Sequence, residues 1–213
     1  MKPGAIIFDL DGVLTDTSEY HYRAWKRLAD DEDIPFTREE NDAHLRGIGR
    51  RESLMYIIRG RHYTEKQIQE MMERKNHYYN DLIEEMTPRE FVAGGRELLE
   101  AIRRAGLKTA IASASKNSRT VLARLEITDY FDGIADGYCV VNGKPAPDIF
   151  LFAAGLVNVP TVNCIGIEDA NAGIEAIKTA GMYAIGIGPK ERFQRADKVL
   201  PTLANVQLET LLN

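Results

Sequence analysis

Four short apolar runs, helical patterns between the later three, and a long strandless stretch after the first predict the fold class. It is α/β: a doubly wound, mainly parallel, Rossmann-like core with a helical cap domain inserted after the first strand. In this arrangement residues 1–15 and 89–213 form the core and residues 16–88 the cap.

The elements follow in order. AIIFDLDG, residues 5–12, is fully apolar until Asp9, the pattern of a strand buried on both faces of a parallel sheet. Between 16 and 88 helix signals dominate. Asp16 and Glu19 have capping-box spacing before a helix over 20–29. Thr64 and Gln67 repeat that spacing before a long helix running to about Met86, and Pro88 closes the segment. Ile68, Met71, Met72, Tyr78, Tyr79, Leu82, Ile83 and Met86 form an apolar stripe on it, with Lys75 inside the stripe. LKTAIAS (107–113), TVNCIGIED (161–169) and MYAIGIG (182–188) read as further buried strands. Helices carrying Val121, Leu122 and Leu125, and then Ile174 and Ile177, lie between them, and another is expected at about 148–156.

Composition narrows the function. With 213 residues, 44% of them hydrophobic, the chain can fill a core, which excludes wholesale disorder. A net charge of −5 argues against nucleic acid or an anionic membrane as partner, since both need clustered positive charge. No apolar run approaches the roughly 18–20 residues of a membrane helix, and the stretch 5–8 is too short for a signal-peptide core. The expectation is a cytoplasmic monomer acting on small molecules. Cys139 and Cys164 lack metal-ligand spacing and are expected as free thiols.

The chemistry-bearing residues gather at strand ends. Asp9 and Asp11, two apart, start from a shared direction at the carboxyl end of the first strand, where open α/β sheets bind ligands. Gly12 then allows a sharp turn. An acid pair with turn chemistry is the plainer alternative. Glu168 and Asp169 end a second strand in the same way, or else cap the helix that follows. Carboxylates about 4 Å apart repel by ~4 kcal/mol at an effective dielectric near 20, a cost that Mg2+ would offset. Ser113, Ala114, Ser115, Lys116 and Asn117 lead from a strand into a helix and suit a phosphate, though a capped turn would look alike. Lys144, before the proline pair 145 and 147, would neutralise phosphate oxygens or lie in solvent.

Those four segments resemble, in order, the motifs of the haloacid dehalogenase superfamily of phosphotransferases: FDLDGVLTD (8–16), the strand end at Ser113, Lys144, and Glu168–Asp169. The resemblance implies Asp9 as a nucleophile forming an aspartyl phosphate and Asp11 as general acid/base, with Ser113 and Lys144 completing the catalytic set. It implies Mg2+ held by Asp9, the Asp11 backbone carbonyl and Asp169, with Glu168 close to the metal. Two motif-one aspartates argue against a dehalogenase proper. Proton transfer by Asp11 near neutrality asks for a pKa well above the ordinary carboxylate value.

The cap carries its own signals. His21 shares a helix face with Thr17, Trp25 and Leu28 and is either a packing residue or a group that orients proton transfer. Lys75, beside Asn76, must snorkel to water or meet an anion. The loop His44-Leu45-Arg46-Gly47-Ile48-Gly49-Arg50 concentrates arginine and glycine, and Arg50 offers a donor fork suited to phosphate.

TDTSEYHYRAWKRLA (15–29), HLRGIGRRESL (44–54), RKN (74–76), SASKN (113–117), GKPAPDIF (143–150) and GIEDANAGIEAIK (166–178) are together similar to the β-phosphoglucomutase branch of the superfamily. Arg46, Gly49 and the stretch 137–142 depart from that branch's usual pattern. The resemblance implies interconversion of β-glucose 1-phosphate and glucose 6-phosphate, with β-glucose 1,6-bisphosphate as primer and intermediate. Ser113, Ala114 and Lys144 would serve the transferring phosphoryl group. Arg50, Ser115, Lys116 and Asn117 would hold the distal one, with Thr17, His21, Arg46, Gly47, Lys75 and Asn76 also toward substrate. His21 and Lys75 would keep Asp11 poised until the cap closes. A sugar-phosphate phosphatase with the same nucleophile is the alternative. A signalling receiver would share the acid cluster but needs neither a cap nor a DxD strand.

Overall fold

Residues 3–45 and 48–213 are described in a computed structural model of the protein. Arg46 and Gly47 lie outside the described residues. The chain divides into two compact units, one of residues 1–16 with 87–213 and one of residues 17–86.

The first unit is built on a parallel six-stranded sheet of order β3-β2-β1-β4-β5-β6. The strands are β1 (Ala5–Phe8), β2 (Lys108–Ala112), β3 (Gly133–Ala135), β4 (Cys164–Glu168), β5 (Tyr183–Ile187) and β6 (Lys198–Leu200). All four residues of β1 are fully buried, as its unbroken apolar run requires for a central strand covered on both faces. β1 pairs with β2 on one side and β4 on the other. The chain winds outward through β2 and β3, then returns to the far side of β1 at β4. Strand order therefore reverses between β1 and β4, which opens a crevice at their carboxyl ends.

Helices α5 (Gly95–Arg104), α6 (Ser118–Arg124), α7 (Asp148–Leu156) and α8 (Asn171–Thr179) connect these strands. Ile149, Phe150 and Ala153 of α7, with Ile174 and Ile177 of α8, pack in one cluster with Ile7, Ala110, Ala112 and Ala184 of the sheet. Each large apolar side chain buried in this way contributes about 1.5–3 kcal/mol. The four predicted strands all form, each trimmed to four or five residues. β3 and β6 escaped sequence reading because three residues at a sheet margin carry no periodic signal.

Among its described residues the elements of the second unit are all helices: α1 (Ser18–Asp31), α2 (Arg38–His44), α3 (Arg50–Ile57) and α4 (Glu65–Ile83). Trp25, Leu28 and Ala29 of α1 pack with Leu54, Ile57, Ile68 and Met71. Thr64 and Gln67 form the expected capping box, each accepting from the other's backbone N–H. The expected cap at Asp16 is corrected. Helix α1 starts at Ser18 with Thr17 in the cap position, and no side chain caps it. Helix α4 ends at Ile83 rather than near Met86, although Met86 stays buried in the turn that follows.

Candidate active site

The expected shared direction of Asp9 and Asp11 needs correction, because β1 stops at Phe8. Asp9 is held just past the strand end by its N–H, which donates to the Ile167 carbonyl at 2.9 Å. Asp11 lies in a tight turn, bridged to Thr15 and half-buried. Gly12 makes that turn with φ +85°, and a Cβ there would fall 2.3 Å from Asp169 Oδ2. Only glycine fits both the backbone angle and the approach of the carboxylate.

Asp9, Glu168 and Asp169 each bring a carboxylate oxygen into a group whose members all lie within 4.8 Å of one another. The Asp11 carboxylate is not in that group of three. Lys144 reaches it from the loop before α7. Its ammonium donates to Asp9 Oδ1 at 2.5 Å and to Glu168 Oε2 at 2.7 Å, with the Lys144 side chain 5% exposed. The solvent alternative for Lys144 is therefore wrong. Its bond to Pro145 is cis. The other Glu168 oxygen accepts from the N–H groups of Asp169 and Ala170, at 3.0 and 3.1 Å. Glu168 thus braces the turn into α8, but Ala170 holds the cap position and no side chain caps that helix, so the capping alternative is corrected. Gly173 lies beneath it, where a Cβ would sit 1.9 Å from Oε2.

Burial pushes the Asp9 carboxyl up to about 7, the Glu168 charge adds to the rise, and Lys144 opposes it. Burial also raises Glu168, against the pull of Lys144. Burial alone would lower Lys144, but the charges of Asp9 and Glu168 outweigh it and hold the ammonium above the ordinary lysine value. Three carboxylates against one ammonium leave the cluster short of positive charge. Its ligands are all hard oxygens at strand ends, a set that fits Mg2+.

Ser113 is fully buried at the end of β2. Its Oγ accepts from the Ser115 N–H at 3.1 Å, and Ser115 Oγ accepts from the Asn117 N–H at 3.1 Å. Those two amides are thus bonded within the turn. The ammonium of Lys116 lies 5.0 Å from the centroid of the Tyr138 ring. Ala114 is exposed on the same turn.

In the helical unit, Lys75 is 2% exposed, so it does not snorkel. Its ammonium meets His21 Nδ1 at 2.9 Å and sits over the rings of Trp25 and Tyr79, 4.7 and 4.8 Å from their centroids. The Tyr79 ring stacks on His21 with centroids 4.2 Å apart. Burial, then the Lys75 and Arg50 charges, hold the His21 pKa well below the ordinary imidazole value. A charged Lys75 can only donate, so Nδ1 is the acceptor and the neutral ring carries its proton on Nε2. Arg50 Nη2 donates to Asn76 Oδ1 at 2.8 Å. Thr17 is fully buried, and its carbonyl accepts from the His21 N–H at 3.0 Å. The expected substrate residues Arg46 and Gly47 lie outside the described residues.

Sequence reading missed Gly173 as the floor under Glu168. The only available signal was a small residue five positions after an acid that ends a strand. Phe150 was likewise not singled out, yet its ring centroid lies 5.1 Å from the Lys144 ammonium.

The family model of the haloacid dehalogenase-like hydrolases matches residues 3–181. The chain is 45% identical over 211 residues to the β-phosphoglucomutase of Bacillus subtilis (strain 168), covering 97% of this chain and 93% of that protein. It is 32% identical to a phosphorylated carbohydrates phosphatase of Thermotoga maritima, with 85% and 83% covered. Among solved structures, β-phosphoglucomutase from Clostridium difficile superposes with a TM-score of 0.93 at 42% identity, over 99% of this chain and 96% of that one.

Proposed function

The chain belongs to the haloacid dehalogenase-like hydrolase family, and from that premise we propose that it is a β-phosphoglucomutase. It interconverts β-D-glucose 1-phosphate and glucose 6-phosphate through an aspartyl phosphate and β-glucose 1,6-bisphosphate. The observation that carries the reading is Asp9, at the reversal of strand order, bonded to a buried lysine and within 4.8 Å of two further carboxylates. The 45% identity to a β-phosphoglucomutase across nearly the full chain selects this activity within the family.

In this mechanism an Asp9 carboxylate oxygen attacks phosphorus, and the bond from phosphorus to the departing sugar oxygen breaks. Asp11 delivers the proton that this oxygen needs, and takes one from the sugar hydroxyl that later attacks the aspartyl phosphate. The first transfer from the phosphoenzyme makes the bisphosphate. Return of its other phosphoryl group to Asp9 releases the isomer. Lys144 and the Ser113 hydroxyl neutralise and orient the phosphoryl oxygens. Asp9, Asp169, the Asp11 carbonyl and neighbouring Glu168 would hold Mg2+, which supplies further neutralisation of the phosphoryl charge. Arg50, with Asn76, is assigned to the phosphate that is not transferring. Lys75 and His21 are assigned to substrate binding. The protein acts as a monomer on small sugar phosphates.

The test is a product assay primed with β-glucose 1,6-bisphosphate, reading glucose 6-phosphate against free phosphate. A mutase gives glucose 6-phosphate in large excess. The 32% likeness to a carbohydrate phosphatase supports the second reading, under which free phosphate dominates. Arg50→Ala should cost mutase flux far more than slow hydrolysis of the phosphoenzyme. Equal losses would remove Arg50 from the distal-phosphate role.

A further inference from the structure

The loop after β5 reaches back to the acid cluster through a contact that the proposed catalysis does not use. A turn at Lys190–Arg192 follows Pro189. Phe193 then points inward, 6% exposed, and packs so closely on β5 that a Cβ at Gly186 would lie 2.7 Å from its ring. With Phe193 anchored, Arg192 turns back past Gly188, where a Cβ would come within 3.3 Å of Nη1. Nη1 donates to the Asp169 carbonyl at 3.1 Å. Asp169 is the member of the acid group that lies in the turn between β4 and α8. Its N–H already donates to Glu168 Oε1. Arg192 therefore fastens the other end of the same residue, while the carboxylate lies against Gly12.

We propose that Arg192 is a positioning residue for Asp169, fixing the main chain so that the carboxylate is aimed for a divalent cation. This rests on reading the acid cluster as a Mg2+ site. Groups that orient metal ligands typically matter about tenfold or more for affinity when they bond the ligand atoms, and less when they hold only the backbone. The sign of the effect separates position from charge. Arg192 is a cation, so its charge alone repels Mg2+, and losing that charge would tighten binding. Losing the clamp loosens it.

The experiment is calorimetric titration of the intact, unphosphorylated protein with Mg2+ alone at ~0.15 M salt, where exposed charges are largely screened beyond about 8 Å. Arg192→Ala should raise the Mg2+ Kd about threefold to tenfold, the range of one lost hydrogen bond. Its KM for sugar phosphate at saturating Mg2+ should stay at the parent value. Lys190→Ala removes the same charge from the same turn and should leave Kd unchanged or slightly lower. Arg192→Lys, which keeps the charge and one donor direction, should recover part of the loss. An Arg192→Ala protein that binds Mg2+ as tightly as the parent, or more tightly, overturns the proposal. Should that variant fail to fold, Arg192→Gln is judged by the same criterion. A parent that binds no Mg2+ sinks the metal reading itself, an outcome distinct from a parent that binds and a variant that matches it.

Discussion

Replacing Asp9 by asparagine should abolish turnover and at the same time stabilise the metal-free protein. The reason is the electrostatic cost of the nucleophile. Burial and the Glu168 charge raise the Asp9 carboxyl from the ordinary 3.8 to about 7. An acid whose folded pKa is raised costs nothing below its unfolded value. The cost grows as pH climbs and is complete above the folded value. Over this interval linkage gives an upper figure of about 4 kcal/mol at pH 8 and less than half of that at pH 5. Asparagine keeps the shape and cannot ionise. In a chain of this size each kcal/mol moves Tm by about 2–4 °C. The variant in EDTA should therefore melt roughly 5–15 °C above the parent at pH 8, with the gap at least halved at pH 5. Added Mg2+ should narrow the gap, since it stabilises the ionised parent more than the variant. Thermal melts at pH 5, 6, 7 and 8 read this directly. A gap that is missing, or constant with pH, would refute the placement of a strained carboxylate at position 9.

Other substitutions test other parts of the same cluster. Gly173→Ala would gain ~1 kcal/mol from helix propensity at an ordinary position. With a Cβ 1.9 Å from Glu168 Oε2, it should instead lower Tm and cut kcat/KM at least ~10-fold. A more stable, fully active variant would show that the contact is not tight. Lys144→Ala strips the cation from two buried acids and should cost about 3–5 kcal/mol at pH 8 without metal. The loss should be smaller at pH 5, because carboxyls with raised pKa values take up protons there, and denaturant melts at the two pH values measure the difference. Lys75→Met should raise the His21 pKa toward the ordinary imidazole value by removing a charge 2.9 Å from Nδ1. Proton NMR titration of the ring follows it, and an unchanged value would mean that the charge is not what depresses the pKa.

The strands that carry chemistry were legible in the residues because each is a short apolar run ended by acids or hydroxyls. β1, β2 and β4 fall inside the runs read at 5–12, 107–113 and 161–169. The Thr64 capping box was equally legible, since its two partners are three residues apart and need no tertiary contact. At Asp16 the same spacing misled. Nothing local distinguishes an acid that caps from one that stands two residues before the helix starts. The Lys75 stripe position raised the right question but could not answer it. Whether a lysine in an apolar stripe reaches water depends on the facing helix, and α1 presents His21 and Trp25 to it.

Residue order alone thus determined the type of most elements and the kinds of group at each strand end, because periodicity and turn chemistry are properties of neighbours in the chain. The tertiary structure decided which groups touch. Lys144 and Asp9 are 135 residues apart, yet their side chains meet at 2.5 Å, and Gly173 passes directly under Glu168. Such meetings follow from strand order and helix packing. The same packing removes water, and it is this desolvation, invisible in any stretch of sequence, that lifts the Asp9 pKa.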